Sequence, residues 1–293
     1  MPWLQLTMRT DAERSERLSA SLQTAGALAV TLADAEDTPV LEPEPGETPI
    51  WPSTLVTALY PAGTDLTPLH KALLPHLTPA EASSWHTEEL ADQIWERTWM
   101  DHFRPTRFGK RLWVCPKGQP SPQKDAVVVE LDPGLAFGTG THPTTALCLQ
   151  WLDGAAVTNR AVIDYGCGSG ILTVAAAKLG AISVRATDID PQALLATGQN
   201  ATHNRVADRV LVTPPELLNS DPADIVVANI LSGPLIELVP TLTALVAKSG
   251  HLVLAGLLAE QSEAVKLAYQ PAIEWHAATT SEEWICLQGT KVF

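Results

Sequence analysis

Apolar and polar positions alternate with two different periods in the first eighty residues, which predicts both strands and helices there. Short alternating or β-branched runs indicate strands, and capped segments with apolar residues every three to four positions indicate helices. These elements follow the order strand, helix, strand, strand, helix, over residues 3–8, 11–26, 27–32, 54–60 and 66–77. Pro75 interrupts the second helix. The order predicts a small α+β domain of ferredoxin-like topology.

A helical pattern also covers residues 88–103, where Trp95 and Trp99 lie one turn apart. We interpret this pair as an aromatic stripe that packs a connecting helix. Four basic residues follow at 104, 107, 110 and 111, without interleaved aromatic side chains, so we interpret them as part of a linker. The predicted division is a small α+β domain at 1–90, a linker helix and connecting segment at 91–125, and a larger domain at 126–293.

In the larger domain, apolar strand patterns alternate with helical ones. Two strands, at 112–115 and 126–131, are predicted ahead of the alternating region. Strands then follow at 161–165, 183–187, 210–213, 224–228, 252–255, 273–277 and 284–287, and helices at 171–179, 191–204, 235–246 and 259–268. Such alternation predicts an α/β fold with a doubly wound, Rossmann-like sheet, which binds its ligand at the carboxyl ends of the strands.

The chain is organised around a glycine turn at 166–170, between the strand at 161–165 and the helix at 171–179. Glycines allow a ligand to approach the backbone, and a helix N-terminus offers free N–H groups. With Asp164, the motif is Asp-x-Gly-x-Gly-x-Gly, which resembles the first motif of S-adenosylmethionine-dependent methyltransferases. A dinucleotide fingerprint places its third glycine one residue later. The alternative is an ordinary strand-to-helix turn.

Two further polar residues follow predicted strands of the same sheet. Asp188 lies 22 residues after Gly166, where a carboxylate can accept hydrogen bonds from ribose hydroxyls. That role would serve a nicotinamide cofactor equally well. Asn229 follows the strand at 224–228, and its side-chain carbonyl can accept a hydrogen bond from an amine. A simple turn asparagine is the alternative there.

The segment 131–145, LDPGLAFGTGTHPTT, is too rich in glycine and proline to continue a strand or a helix. Thr141 or His142 can cap a helix that begins at Pro143. Because the segment precedes the glycine turn, we predict that it folds over the bound ligand as a lid.

Composition limits the classes of partner. The 293 residues carry a net charge of −14, and the first hundred hold 5 basic and 15 acidic residues. Such a surface repels nucleic acid and attracts a basic protein, although it also serves solubility. The chain has no run of eighteen apolar residues, its first residues do not resemble a secretory signal, and its four cysteines form no C-x-x-C pair. We therefore expect a cytoplasmic protein with reduced thiols and no metal site.

The loop at 131–145, the turn VIDYGCGSGIL, the segment ATDIDPQAL and the strand end VVANIL occur in this order. Together they resemble the bacterial ribosomal protein L11 methyltransferase family. The resemblance implies an enzyme that trimethylates lysine side chains and the N-terminal amine of L11 with S-adenosylmethionine, and whose N-terminal domain, residues 1–90, recognises the substrate. We expect this enzyme to be a monomer. The resemblance also implies cofactor contacts for Thr145, Gly166, Gly168, Asp188, Asn229 and Thr141, with Phe137 lining the pocket.

For the chemistry, a lysine amine with a pKa of about 10.4 must lose a proton, which costs about 4–5 kcal/mol at pH 7. The sequence offers no evident general base. We therefore expect catalysis by positioning in a water-poor pocket, with Asn229 and Phe137 as the candidate residues.

Three alternatives remain at this point. The first is methylation of a glutamine or a nucleic-acid base, for which related enzymes carry Asn-Pro-Pro-Tyr, whereas Ile-Leu follows Asn229 here. The second is a nicotinamide dehydrogenase, which requires the later third glycine. The third is a non-catalytic ribosome-assembly factor.

Overall fold

The computed structural model describes residues 3–36, 50–90, 104–119, 123–131 and 142–293. The chain divides into two units, Met1–Thr98 and Trp99–Phe293. Most of the predicted connecting helix, including Trp95 and Trp99, lies outside the described residues, as does most of the predicted lid. No helix of the described part of the chain is long and apolar enough to cross a membrane.

The first unit contains one antiparallel sheet, in the order β2-β3-β1-β4. Its strands are β1 (Trp3–Asp11), β2 (Ala29–Asp34), β3 (Ser53–Pro61) and β4 (His86–Leu90), and its helices are α1 (Ala12–Thr24), α2 (Thr67–Leu73) and α3 (Pro79–Ser83). A 3₁₀ turn at Leu74–His76 continues α2 through Pro75, where the interruption was predicted. The order of strands and helices confirms the predicted ferredoxin-like topology.

One prediction in this unit is wrong. Residues 88–90 belong to strand β4, not to the predicted helix that begins at 88. The segment HTEEL has no apolar face of its own, and it forms a strand because its backbone pairs with β1, from Thr7↔His86 to Trp3↔Leu90. Pairing to a distant strand has here outweighed the helix propensity of Glu88, Glu89 and Leu90.

Local caps and one buried ion pair fix the helices of the first unit. Asp11 ends β1 and accepts a hydrogen bond from the Arg14 amide, which starts α1. Thr78 and Glu81 form a reciprocal capping box at α3. The Glu81 carboxylate is buried and accepts hydrogen bonds from the Arg14 guanidinium at 2.8 Å and from Thr10 Oγ1 at 2.6 Å.

The second unit is built on a twisted sheet in the order β10-β9-β8-β11-β12-β15-β13, with β14 paired to β15. The first five strands of this order are parallel, and β15 is antiparallel to its neighbours. The strands are β8 (Ala161–Tyr165), β9 (Ser183–Thr187), β10 (Val210–Val212), β11 (Ala223–Asn229), β12 (Val246–Leu258), β13 (Ile273–Trp275), β14 (Thr279–Ser281) and β15 (Trp284–Lys291). This confirms the predicted Rossmann-like sheet.

Helices cover both faces of this sheet, as a doubly wound fold requires. Buried residues of α4 (Pro143–Gly154), α5 (Ile171–Lys178) and α6 (Pro191–His203) form one core cluster with one face of the strands. Buried residues of α7 (Ser232–Glu237), α8 (Val239–Leu245) and α9 (Ser262–Ala268) form the other. The single helix predicted at 235–246 is instead α7 and α8, broken at Leu238 before Pro240, because proline disrupts a helix interior.

A small sheet precedes α4 and consists of β5 (Thr106–Phe108), β6 (Leu112–Pro116) and β7 (Val127–Leu131). Its buried residues Phe108, Leu112 and Val114 belong to the core of the second unit. The amides of Lys110 and Arg111, in the basic cluster, donate to the buried carboxylate of Asp153 at the end of α4. Residues 104–119, which we predicted as part of a connecting segment, are therefore packed into this unit.

Candidate functional site

Three of the predicted site elements meet at one edge of the larger sheet. In the register of the parallel strands, Tyr165 lies beside Thr187 and also beside Ala228. The residues that follow these three positions are Gly166, Asp188 and Asn229. The glycine turn, the carboxylate and the amide therefore emerge together at the carboxyl ends of β8, β9 and β11, where α/β sheets bind ligands.

The glycine turn adopts a backbone that other residues rarely reach. Gly166, Gly168 and Gly170 have φ values of 82°, 53° and 78°, and Gly170 is the N-cap of α5. A Cβ atom on Gly166 would lie 2.4 Å from Ile230 Cγ2, and one on Gly170 would lie 2.7 Å from Thr197 Oγ1. Glycine is thus required at both positions for conformation and for space. The turn presents bare backbone to a ligand.

Asp188 joins the turn to the end of β9. Its Oδ2 atom accepts the backbone N–H of Gly168 at 2.9 Å, and its Oδ1 atom accepts that of Asp190 at 3.0 Å. Each carboxylate oxygen has a second lone pair, so two hydroxyl groups of a ribose can still be bound. Asp190 itself caps α6, since its side chain accepts the Gln192 amide at 2.9 Å. The structure thus gives the capping role to Asp190 and leaves Asp188 beside the glycine turn at the end of β9.

Asn229 and Thr145 come together from distant parts of the chain. Asn229 ends β11, and its Nδ2 group donates a hydrogen bond to Thr145 Oγ1 at 3.2 Å. Thr145 lies in the first turn of α4 and is almost fully buried. His142 is the N-cap of α4, with Pro143 at its first position, as predicted. The cap therefore places the Thr145 hydroxyl beside the amide of Asn229.

Asp164, which the sequence motif contains but to which we assigned no role, is a buried carboxyl beneath the turn. Its Oδ2 atom accepts a hydrogen bond from Thr173 Oγ1 at 2.6 Å, and its Oδ1 atom has no hydrogen-bond partner among the described residues. Burial raises the pKa of Asp164 to about 6, with a smaller contribution from Asp188, while the bonds from Thr173 act in the opposite direction. A cationic ligand would compensate an ionised, incompletely paired carboxylate.

Sequence reasoning also missed three other residues at this edge, Ile189, Ile230 and Gly256. Ile189, directly after Asp188, is 88% exposed, the largest exposed fraction among the large hydrophobic side chains that the structure describes. Ile230, directly after Asn229, packs against Gly166 and against Gly256 of β12. Only Ile189 carried a sequence signal, as an apolar residue between two acids after a strand.

Phe137 and Thr141 lie outside the described residues, so their roles stay predictions. Cys167 is buried in the turn, and burial raises the pKa of its thiol to about 12, which fits a packing role. Among the residues described, no group of three or more His, Cys, Asp or Glu side chains could hold a metal ion.

The site fits a cationic nucleoside ligand in its chemistry. Asp188 can bind ribose hydroxyls, the glycine turn admits a ligand to the backbone, and Asp164 supplies buried negative charge. On this sheet, these residues define the class of S-adenosylmethionine-dependent methyltransferases with a Rossmann-like fold.

Comparison with known proteins identifies the family. The family model described as ribosomal protein L11 methyltransferase (PrmA) matches residues 2–292. Proteins named ribosomal protein L11 methyltransferase from Methylococcus capsulatus and Nitrosococcus oceani are 51% and 49% identical to this chain, over 290 and 289 residues, and the alignments cover 99% of both partners. The chain belongs to the ribosomal protein L11 methyltransferase family.

A solved structure agrees with this assignment. The ribosomal protein L11 methylase from Lactobacillus delbrueckii subsp. bulgaricus is 31% identical, with a TM-score of 0.60, and the match covers 65% of this chain and 100% of that one. The predicted resemblance and enzyme class are confirmed, with S-adenosylmethionine as methyl donor. The dehydrogenase alternative is inconsistent with this family.

Proposed function

We propose that this enzyme transfers methyl groups from S-adenosylmethionine to lysine side-chain and N-terminal amines of ribosomal protein L11, up to the trimethyl level. The names of its relatives support L11 as the substrate. One observation supports an amine as the group that receives the methyl. The Asn229 amide is held by Thr145 at the edge of the sheet where the cofactor binds. We also propose that residues 1–90 form the substrate-recognition domain, and that the enzyme acts as a cytoplasmic monomer.

Cofactor binding is assigned to four elements of this site. Asp188 binds the ribose hydroxyls, Gly166 and Gly168 let the ligand approach the backbone, and Ile189 offers an apolar surface to the adenine ring. Thr145 contributes by accepting the hydrogen bond that holds the Asn229 side chain in place. When bound, S-adenosylmethionine supplies an electrophilic methyl group on a positively charged sulfur.

Asn229 orients the substrate amine. Because its Nδ2 group donates to Thr145, its Oδ1 atom is left to accept a hydrogen bond from the amine. An amide can accept a hydrogen bond from the neutral primary amine and from the neutral monomethylated amine, and it carries no charge that would favour the ammonium form. The neutral dimethylated amine has no N–H, so the walls of the pocket alone orient it for the last transfer. The amine loses its proton to water before transfer, so the protein contributes chiefly orientation and exclusion of water. Phe137 and Thr141 are proposed to close the pocket over the reacting groups.

Incubation with methyl-labelled S-adenosylmethionine and a mixture of purified ribosomal proteins tests this proposal. We expect label on L11, which peptide mass analysis should place on lysine side chains and the N-terminal amine as mono-, di- and trimethyl forms. Label on ribosomal RNA, on glutamine side chains, or on no component of the mixture would contradict it.

A further inference from the structure

The buried side of helix α6 differs from that of its neighbour α5. The buried residues of α6 all have small or polar side chains: Ala193, Thr197, Asn200 and Ala201. Helix α5 instead buries large aliphatic side chains, Ile171 and Leu172 among them. A helix normally packs through an apolar face, and a buried polar group is costly unless it is hydrogen-bonded. The bonds that Thr197 and Asn200 make therefore indicate what this side of α6 holds.

Both polar side chains bond the backbone of the glycine turn. Thr197 Oγ1 donates to the carbonyl of Gly168 at 3.0 Å and lies 3.3 Å from Cys167 Sγ. Asn200 Nδ2 donates to the carbonyl of Ser169 at 2.8 Å. Thr197 is fully buried and Asn200 is 6% exposed, so water competes little for these bonds. Two consecutive carbonyls of the turn are thus fixed by side chains of one helix.

Gly168, in the middle of the turn, is held on both sides. Asp188 accepts its N–H group at 2.9 Å, and Thr197 donates to its carbonyl at 3.0 Å. Its φ of 53° is one of many conformations open to glycine, the residue with the greatest backbone freedom. The conformation of the turn must therefore be imposed by neighbouring groups, and these two bonds impose it at Gly168.

Helix α6 also lies very close to the turn. A Cβ atom on Gly170 would lie 2.7 Å from Thr197 Oγ1 and 2.9 Å from the Thr197 Cα atom. The absence of a side chain at Gly170 thus makes room for the helix. This contact brings the Thr197 hydroxyl and the Asn200 amide within reach of the carbonyls that precede Gly170.

The C-terminal end of α6 is anchored separately, to strand β7. Asn204, the C-cap residue, is buried, and its side-chain amide pairs with the backbone of Glu130. Its Oδ1 atom accepts the Glu130 N–H at 2.9 Å, and its Nδ2 group donates to the Glu130 carbonyl at 2.7 Å. His203 Nε2 lies 2.9 Å from the Glu130 carboxylate. None of these bonds involves the glycine turn, so α6 is held in place independently of the turn that it supports.

We propose that Thr197 and Asn200 are positioning residues, which hold the glycine turn in its cofactor-binding conformation before the cofactor arrives. This inference rests on the proposed contact between the turn and S-adenosylmethionine, and it adds the residues that impose the shape of the turn. When only a fraction of the molecules has the binding conformation, the apparent Kd rises by the inverse of that fraction. The two side chains therefore act on the affinity for the cofactor and not on methyl transfer itself.

Isothermal titration calorimetry of S-adenosylmethionine with the full-length enzyme tests the role of Thr197. Thr197→Val keeps the size of the side chain and removes its hydroxyl, whereas Thr197→Ser keeps the hydroxyl and removes a methyl group. Thr202→Val is the matched control, because Thr202 is exposed on the same helix and its hydroxyl donates to the carbonyl of Gly198 within that helix.

We expect Thr197→Val to raise the cofactor Kd about 5- to 20-fold, because the carbonyl of Gly168 is released. Thr197→Ser should stay within about threefold of the unmodified enzyme, and Thr202→Val within about twofold. In steady-state methylation of L11, the loss in Thr197→Val should appear in KM for the cofactor, with a much smaller fall in kcat. A residue that matters only for packing gives the reverse order, because serine leaves a cavity and valine does not.

Asn200→Ala and amide hydrogen exchange provide a second measurement. This variant removes the bond to Ser169 and should raise the cofactor Kd by a factor similar to that of Thr197→Val, whereas Asn219→Ala, at an exposed position, should not. The Gly170 amide donates to the Cys167 carbonyl at 2.7 Å and closes the turn. Without cofactor, we expect it to exchange about fivefold faster in both turn-releasing variants than in the unmodified enzyme, and saturating cofactor should reduce the difference.

The proposal is overturned if Thr197→Val binds the cofactor as tightly as Thr202→Val, or if Thr197→Ser loses as much affinity as Thr197→Val. A variant that fails to fold is recognised by its melting temperature, and the Asn200→Ala comparison then decides the outcome. The calorimetry uses the cofactor alone, so it does not depend on which protein receives the methyl group. If the cofactor does not contact the turn at all, Asp188→Asn also leaves Kd unchanged, and this result separates a wrong site from a wrong positioning role.

Discussion

The amide of Asn229 donates a hydrogen bond to the hydroxyl of Thr145, 84 positions earlier in the chain, over 3.2 Å. This bond joins the end of strand β11 to the first turn of α4. Only one orientation of the Asn229 side chain lets its N–H group donate to the buried Thr145 hydroxyl. We propose that the carbonyl oxygen of this amide accepts a hydrogen bond from the substrate amine. Its position therefore depends on Thr145.

Thr145→Val keeps the shape of the side chain and removes the acceptor. The Asn229 amide then loses a bond worth about 1–3 kcal/mol when buried, and it can rotate. We expect kcat for L11 methylation to fall about 10- to 100-fold, measured with saturating cofactor and substrate. Thr158→Val is the matched control, because the Thr158 hydroxyl donates to the backbone carbonyl of Leu179, which lies away from the site. Equal kcat values for the two variants would show that Thr145 does not act through Asn229.

Asp188→Asn should weaken cofactor binding. The substitution removes the charge that accepts the Gly168 and Asp190 amides and, as we propose, the ribose hydroxyls. Hydrogen bonds to charged groups contribute about 1.5–3 kcal/mol, so we expect a 10- to 100-fold rise in the cofactor Kd by isothermal titration calorimetry. Asp190→Asn retains a good N-cap for α6 and should leave Kd within about threefold. A reversed order of the two effects would contradict the assignment of the ribose to Asp188.

The parts of this site that the sequence predicted are those encoded locally. The glycine turn and the His142 cap depend on neighbours within a few residues, and the alternation of strands and helices brings Asp188 and the other strand ends together. Strand β4 and the Gly256–Ile230 contact were missed, because both depend on partners far along the chain. The unpaired oxygen of Asp164 was missed for another reason, since a motif gives the residue and not its burial.

Gly256→Ala tests whether β12 positions the end of β11. Gly256 has a φ of 85°, and a Cβ atom there would lie 2.4 Å from the carbonyl oxygen and 2.8 Å from the carbonyl carbon of Ile230. The backbone next to Asn229 must then shift. We expect a loss of about 1–3 kcal/mol in unfolding free energy and a drop in kcat larger than any change in the cofactor Kd. Urea unfolding and steady-state kinetics measure the two effects.

Gly198→Ala provides the comparison for that experiment. Gly198 lies within α6, its φ is not positive, and a Cβ atom there would have no neighbour within 4 Å. Alanine in a helix interior is favoured over glycine by about 1 kcal/mol, so this variant should be slightly stabilised and fully active. If Gly256→Ala is equally harmless, the packing of Ile230 does not position Asn229.

Cofactor affinity should increase with pH through the titration of Asp164. Its pKa is raised to about 6, chiefly by burial, so the carboxyl is neutral at pH 5 and mostly ionised at pH 7. The methyl donor carries a net positive charge, which the ionised form attracts. We expect Kd to fall as pH rises from 5 to 7, and Asp164→Asn to remove most of that dependence. An unchanged pH profile in the variant would exclude Asp164 as its cause.

Acid should destabilise the first unit through Glu81. Burial by itself would raise the pKa of this carboxyl, but bonds from Arg14, Thr10 and Thr78 outweigh it and lower the pKa to about 2. A depressed pKa contributes stability that is present above the unfolded pKa of about 4.5 and is lost as pH falls through about 2.

We expect Glu81→Gln to lower the opening free energy of β1 and α1 by about 2 kcal/mol at pH 6, with the difference from the unmodified protein shrinking steadily below pH 4. Hydrogen exchange of the amides in these two elements measures this, and the exposed Glu88→Gln serves as the control. A difference between Glu81→Gln and the unmodified protein that stays constant from pH 6 to pH 3 would mean that Glu81 contributes through its shape and hydrogen bonds and not through its charge.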